Sequence, residues 1–557
     1  MSTAISVLGG VGLFLLGMTV MTEGLKALAG SALRTVLGKA AATPLRGSFW
    51  GALVTLLVQS SSATTMTTIS LVSAGLLTFP QGLGLVFGAN VGTTGTGWLV
   101  ALVGVRVSLT AAALPMIFVG ALIKLLASGR LSGAGAALAG FGLVLFGLTT
   151  LQQGMGGLAE RLHPADLPAV LAGPDARWWQ AMLGALALVA VGLVMTAIMQ
   201  SSTAAIAVTL SAYYAGAVGL DQGCALIIGQ NIGTATSSAL AAIGASTTAK
   251  RLAIGYVLFK VIAAVIALVL FPFVTPLLVR ASKAIDGVTL LAAYHTAYNV
   301  VGVMVLMPLI DRFTRLVERI LPERGSPLTR CLDPSALETP IVAVEAVRRT
   351  IAGALAAVCG SVEGALVAGI RGEAVPGKDA VSVHEAADAL RQAQVFLSDV
   401  AGPPDTDDEQ RRLTSTVHAL DHVSRLAETA GGIDFKTMRV GPDDARAGQL
   451  CADAMRIASS VAHDVAAAPG IDRSPRASPA APGAETLSTE EALVQLERGA
   501  TELEELQRTH RAATLRAVAD GTLTADAAIV RVDTLRGLQA LARHAWRSTV
   551  HLVGRDG

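Results

Sequence analysis

Two short polar clusters interrupt long apolar stretches of this chain, and each occurs twice. Gln59-Ser60-Ser61-Ser62-Ala63-Thr64 returns as Gln200-Ser201-Ser202-Thr203-Ala204-Ala205. Gly88-Ala89-Asn90-Val91-Gly92-Thr93 returns as Gly229-Gln230-Asn231-Ile232-Gly233-Thr234. Both pairs lie 141 positions apart, 59 to 200 and 88 to 229. A hydroxyl or amide inside an apolar stretch is costly unless it finds a partner. Two such clusters, repeated in order at one spacing, therefore mark an internal repeat with a binding site where the copies meet.

Composition sets the surroundings. Of 557 residues, 52% are apolar and 15% charged, and the mean hydropathy is +0.58. Soluble domains carry about 25% charged residues. The deficit is confined to positions 1–309, where Ala, Leu, Val and Gly dominate; from Arg312 onward the chain is charged. A membrane domain followed by an aqueous one is expected, and the net charge of +1 points to no partner class, nucleic acid included. The four cysteines, Cys224, Cys331, Cys359 and Cys451, form no Cys-x-x-Cys, so no thiol metal site is predicted. The first apolar segment lacks a basic lead-in and is read as a retained helix.

Apolar segments fall at about 5–22, 48–76, 81–103, 107–127, 134–152, 178–216, 222–244, 252–279 and 288–310. A spanning helix needs about 20 apolar residues. Segments 48–76 and 178–216 exceed that and are polar in the middle, so each is expected to be a hairpin or broken helix with its Gln-Ser-Ser cluster at the break. Upstream, Leu16-Gly17-Met18-Thr19 and Glu23-Gly24-Leu25 match Phe146-Gly147-Leu148-Thr149 and Gln153-Gly154-Met155. The expected fold is all-α: two membrane repeats, 1–133 and 134–311, of inverted topology, a linker at 312–335, and an antiparallel helical bundle at 336–557 with a flexible loop at 466–487. Lys26, Arg34, Lys39 and Arg46 load one loop with positive charge, whereas the loop around 156–177 is balanced. Opposite loop character at equivalent places fits inversion. Arg312, Arg315, Arg319, Arg324 and Arg330 predict a cytoplasmic C-terminal domain on the inner face of a cytoplasmic membrane.

A broken helix exposes backbone N–H groups that favour an anion, and Ser, Thr and Gln side chains both donate and accept. Two such breaks facing each other would hold a small oxyanion. Their hydroxyls and unwound carbonyls would suit a hard cation such as Na⁺, the arrangement of a secondary transporter. Asp221 is the one carboxylate within 48–103 and 178–244, so proton coupling through a buried carboxylate is disfavoured. Glu23 is a candidate accessory ligand. The Asn90 and Asn231 motifs read either as helix ends lining the site, with Gly92 and Gly233 permitting a tight break, or as interhelical packing.

These motifs, with His295-Thr296-Ala297-Tyr298-Asn299, resemble the bacterial type II sodium/phosphate cotransporters over about 1–310. The resemblance implies Na⁺-driven uptake of inorganic phosphate. It carries over Gln59, Ser60, Ser61, Ser62, Gln200, Ser201, Ser202 and Thr203 as the substrate site. Thr64, Thr65, Asn90, Thr93, Asn231, Thr234 and Glu23 are expected to line it or bind sodium. Lys260 departs from the pattern, in a segment where a charge must snorkel, pair or serve the site. Asp421-His422, Arg425-Leu426-Ala427-Glu428 and His544-Ala545-Trp546-Arg547 resemble a PhoU-like domain, whose acidic motifs are here reduced to Glu385, Asp388, Asp421 and Glu428. The alternatives are a phosphate sensor that signals through this domain and a carrier of another oxyanion; a channel and an enzyme are disfavoured. The high Gly and Ala content permits close packing within a chain or in a homo-oligomer.

Overall fold

The computed structural model describes residues 3–40, 42–104, 110–171, 178–241, 247–322, 326–371, 373, 382–400, 406–433, 435, 445–468 and 488–554. Every regular element among them is helical. The chain divides into two compact units, Met1–Val72 with Thr78–Glu323, and Arg324–Gly557 together with Ser73–Leu77.

The first unit begins with α1 (Thr3–Ala40), α2 (Pro44–Val58), α3 (Ser61–Ser73), α4 (Phe79–Thr93), α5 (Gly95–Leu99, continued by a π-helical turn) and α6 (Thr110–Leu126). The same order follows in α7 (Gly129–Ala159), α8 (Trp178–Met199), α9 (Ser202–Tyr214), α10 (Leu220–Gly233), α11 (Ala235–Ala241) and α12 (Thr247–Ala281). Helices α13 (Gly287–Leu306) and α14 (Ile310–Ile320) close the unit. Segment 48–76 is thus two helices broken at Gln59-Ser60, and 178–216 two helices broken at Gln200-Ser201. Helix α7 starts before position 133, so the expected boundary there falls inside a helix.

Glycine makes the contacts that matter most. Helices α1 and α7 pack antiparallel with glycine every seventh residue. A Cβ on Gly10, Gly17 or Gly24 would meet the backbone of Leu151, Val144 or Ala137, and one on Gly140, Gly147 or Gly154 that of Met21, Phe14 or Val7. Backbones this close gain dispersion contacts that side chains would hold apart. The matched ends of α4 and α10 have matched caps. Thr78 N donates to Gln81 Oε1 (2.8 Å) and Gly219 N to Gln222 Oε1 (2.9 Å).

Among the described residues six helices are long and apolar enough to cross a membrane, five of them in the first unit. Segment 288–310, expected to span, forms α13 but is not among them. Its Tyr294, His295, Tyr298 and Asn299 are buried within the unit, so its polarity faces protein. The sixth apolar helix is α15 (Pro340–Arg371), in the second unit with α16 (Val383–Ser398), α17 (Asp407–Gly432), α18 (Ala445–Ala467), α19 (Thr489–Ala519) and α20 (Ala525–Val553). Val342, Val347, Ile351, Leu355 and Val358 of α15 are core residues, and it packs on α16, α17 and α18. Residues 466 and 467, expected to open a loop, end α18; 469–487 lie outside the described residues.

Candidate functional site

Two glutamines set the geometry. Gln59 has φ 57° and Gln200 φ 51°, the non-glycine residues with positive φ among those described. Left-handed backbone costs a residue with a Cβ about 1–2 kcal/mol. Local hydrogen bonds offset it in the same way at both places. Gln59 N donates to Thr55 O and Gln200 N to Thr196 O, each at 2.8 Å. The side-chain amides turn back to donate to Leu56 O (2.6 Å) and Ala197 O. Gln59 Oε1 also accepts from Thr96 Oγ1 at 2.7 Å. Each glutamine thus terminates one helix with its amide, which explains the residue type better than ligand binding alone.

The next residue starts the following helix. Ser60 Oγ accepts from Ala63 N (3.2 Å), and Ser201 Oγ accepts from Ala204 N (3.3 Å). Ser201 Oγ also meets Thr203 Oγ1 at 2.9 Å. The amides of Ser61, Ser62, Ser202 and Thr203 head α3 and α9, where no intrahelical acceptor exists. Both helix starts open on one cavity of about 400 Å³, lined by Gln59, Ser60, Ser61, Ser62, Gln200, Ser201, Ser202 and Thr203. Their N–H and O–H groups, with the positive ends of two helix dipoles, suit an anion.

Of the other expected residues, Thr65, Thr93, Thr234 and Glu23 line this cavity, whereas Thr64, Asn90 and Asn231 do not. Thr64 is buried, its hydroxyl accepting from Thr55 Oγ1 (2.9 Å) across the break. Asn90 Nδ2 donates to Val86 O (3.0 Å) in its own helix, and Asn231 Nδ2 to Asn299 Oδ1 (3.1 Å) on α13. Of the two readings of Gly92 and Gly233, a tight break or helix packing, the geometry favours packing. Thr94 and Thr234 keep near-helical backbone angles between the helix pairs. The glycines serve packing instead: a Cβ on Gly88 or Gly92 would meet Ser48 O or Ala52 O, and one on Gly229 or Gly233 would meet Val189 O or Thr196 Cβ.

Sequence reading missed Thr19, Thr22 and Lys26 of α1, Ser237 and Ser238, and Tyr256 of α12, all in the cavity wall. The signal for α1 was present. Thr19, Thr22, Glu23 and Lys26 follow a helical spacing of three and four within an apolar span. For Tyr256 no local pattern existed, since only the fold brings α12 to the breaks. Glu23 and Lys26 are the charged side chains among the lining residues.

A polytopic helical unit whose two broken helices meet at one polar cavity is a solute transporter in form. Residues 13–153 and 177–292 match the family described as Na+/Pi-cotransporter, and the membrane unit belongs to that family, one of transporters rather than enzymes. The chain is 29% identical to "Uncharacterized protein YqeW" of Bacillus subtilis over 313 residues, 56% of this chain and 96% of that one. It is 31% identical to "Putative inorganic phosphate export protein YjbB" of Escherichia coli over 361 residues, 63% of each. A 62-residue stretch is 48% identical to human "Sodium-dependent phosphate transport protein 2B", covering 11% of this chain and 9% of that one. The chain therefore spans less than two thirds of the YjbB length. No solved structure matches it significantly.

Proposed function

We propose that the first unit is a Na⁺-coupled symporter of inorganic phosphate working by alternating access, with phosphate held between the α3 and α9 helix starts. The single observation that carries this is the matched left-handed break at Gln59 and Gln200, which aims two sets of amides and hydroxyls into one cavity. Inverted topology is supported by the α1/α7 packing. Each glycine contact on one helix has its counterpart on the other, so the matched segments run antiparallel about a local two-fold. Sodium is supported by the family and by hydroxyl-rich walls with one carboxylate, Glu23. Arg312, Arg315 and Arg319 on α14 support a cytoplasmic position for the chain that follows.

A coupled carrier runs in the direction its gradients set, and one relative is named for export. Radiolabelled phosphate flux in proteoliposomes under Na⁺, K⁺ or H⁺ gradients of either sign tests the proposal. Phosphate should follow the Na⁺ gradient in both directions and ignore the others. Flux independent of Na⁺, or of another oxyanion only, would overturn it.

A further inference from the structure

Lys260 lies in the middle of α12, thirteen residues from its start at Thr247, and is 3% exposed. That is about 20 Å along the helix axis, too far for the side chain to snorkel out. Desolvating an ammonium costs several kcal/mol unless a partner repays it. Among the described residues no carboxylate pairs with it. Its Nζ donates to Asn231 Oδ1 at 2.7 Å and lies 4.9 Å from the centre of the Tyr256 ring. An amide oxygen and an aromatic face are the neutral ligands that also suit a bound cation.

The amide orientation is fixed from the far side. Asn231 Nδ2 is spent on Asn299 Oδ1, and Asn299 Nδ2 donates to His295 O at 2.8 Å. Asn231 therefore presents its oxygen to the ammonium. The matched residue of the first half differs. Asn90 is 2% exposed and its Oδ1 is buried with no hydrogen-bond donor. The two copies share the asparagine, and only the second has a positive charge on it. The charge is also close to the anion cavity, since Tyr256, one turn before Lys260, lines it, and so does Thr234, three residues after Asn231.

We propose that Lys260 is a resident cation. Its ammonium occupies on Asn231 a place that a transported Na⁺ would otherwise take, so this carrier loads one Na⁺ fewer per phosphate than it would with a neutral residue at 260. The inference rests on the Na⁺-coupled reading above.

The test compares the full-length wild type with Lys260→Gln and Lys260→Arg. In proteoliposomes, the ratio of ²²Na⁺ to ³²P-phosphate flux should rise by about one in Lys260→Gln and stay at the wild-type value in Lys260→Arg. An unchanged ratio in Lys260→Gln overturns the proposal. If that variant is too unstable to transport, its melting temperature in detergent decides. Na⁺ in place of choline should raise it by several degrees more than it raises the wild type. Equal Na⁺ effects on both, or a variant that Na⁺ cannot restore, overturns the proposal. Wild-type flux that ignores Na⁺ would instead sink the coupling reading, while the melting comparison still reports whether Na⁺ replaces the ammonium.

Discussion

Ser60 and Ser201 are where a hydroxyl has two duties. Each caps a helix whose start opens on the polar cavity, through Ala63 N and Ala204 N, and each also lines that cavity. Loss of such a cap costs about 0.5–2 kcal/mol. Ser201→Ala also removes the bond to Thr203 Oγ1. Phosphate uptake should therefore fall about tenfold or more in Ser201→Ala, with normal amounts of protein in the membrane, and Ser60→Ala should follow. Uptake equal to wild type in both would take the helix starts out of the site. A second prediction concerns imidazoles of the helical bundle. His422 of α17 and His544 of α20 approach with their Nδ1 atoms 3.2 Å apart, and His422 stacks on His551. Burial, then the neighbouring His544 and His551, hold His422 down to about 4; burial, then Arg425 and Arg543, lower His544. The unfolded chain, with histidines near 6.5, then binds more protons than the folded one between about 6.5 and 4. Stability is complete above that window and is lost as pH falls through it. Hydrogen-exchange protection of α17 and α20, corrected for intrinsic rate, should decline from pH 7 to 4. The decline should be shallower in His422→Asn.

At the scale of elements, the helix pairs α2/α4 and α8/α10 depend on residues without side chains. A Cβ on Gly229 would sit 1.9 Å from Val189 O, which forces α8 and α10 apart. Overpacking of this kind costs about 1–3 kcal/mol. Gly229→Ala should lower the melting temperature of the purified protein by several degrees. Gly156→Ala, where nothing lies within 4 Å, should leave it unchanged or raise it. Here the limit of sequence reading is physical. The Gln-Ser-Ser breaks were legible because polar clusters in an apolar run have few other uses. The glycines were legible as conserved spacing between the two copies, but not as contacts, because Gly92 looks the same whether it bends its own helix or admits Ala52 O of another. The partners of Asn90 and Asn231, a carbonyl of the same helix and Asn299, were hidden for the same reason, since they depend on which way the helix faces.

For the whole molecule, two features of the sequence were informative at a distance: the 141-residue offset and the change of composition near Arg312. The helix order α1–α6 is followed by a like order in α7–α12, and the chain divides into two compact units. What the sequence left out is how the walls close, since Thr22 of α1 and Tyr256 of α12 share a cavity across more than two hundred residues of chain. The size of that cavity has a consequence of its own. About 400 Å³ holds on the order of a dozen waters. In the alternating-access cycle proposed above, a state that closes on a nearly bare ion must release most of them to bulk. Closure is therefore a dehydration, and its equilibrium responds to osmotic pressure. Sugars too bulky to enter should favour the closed form and slow turnover, while small permeant alcohols at equal osmolality should not.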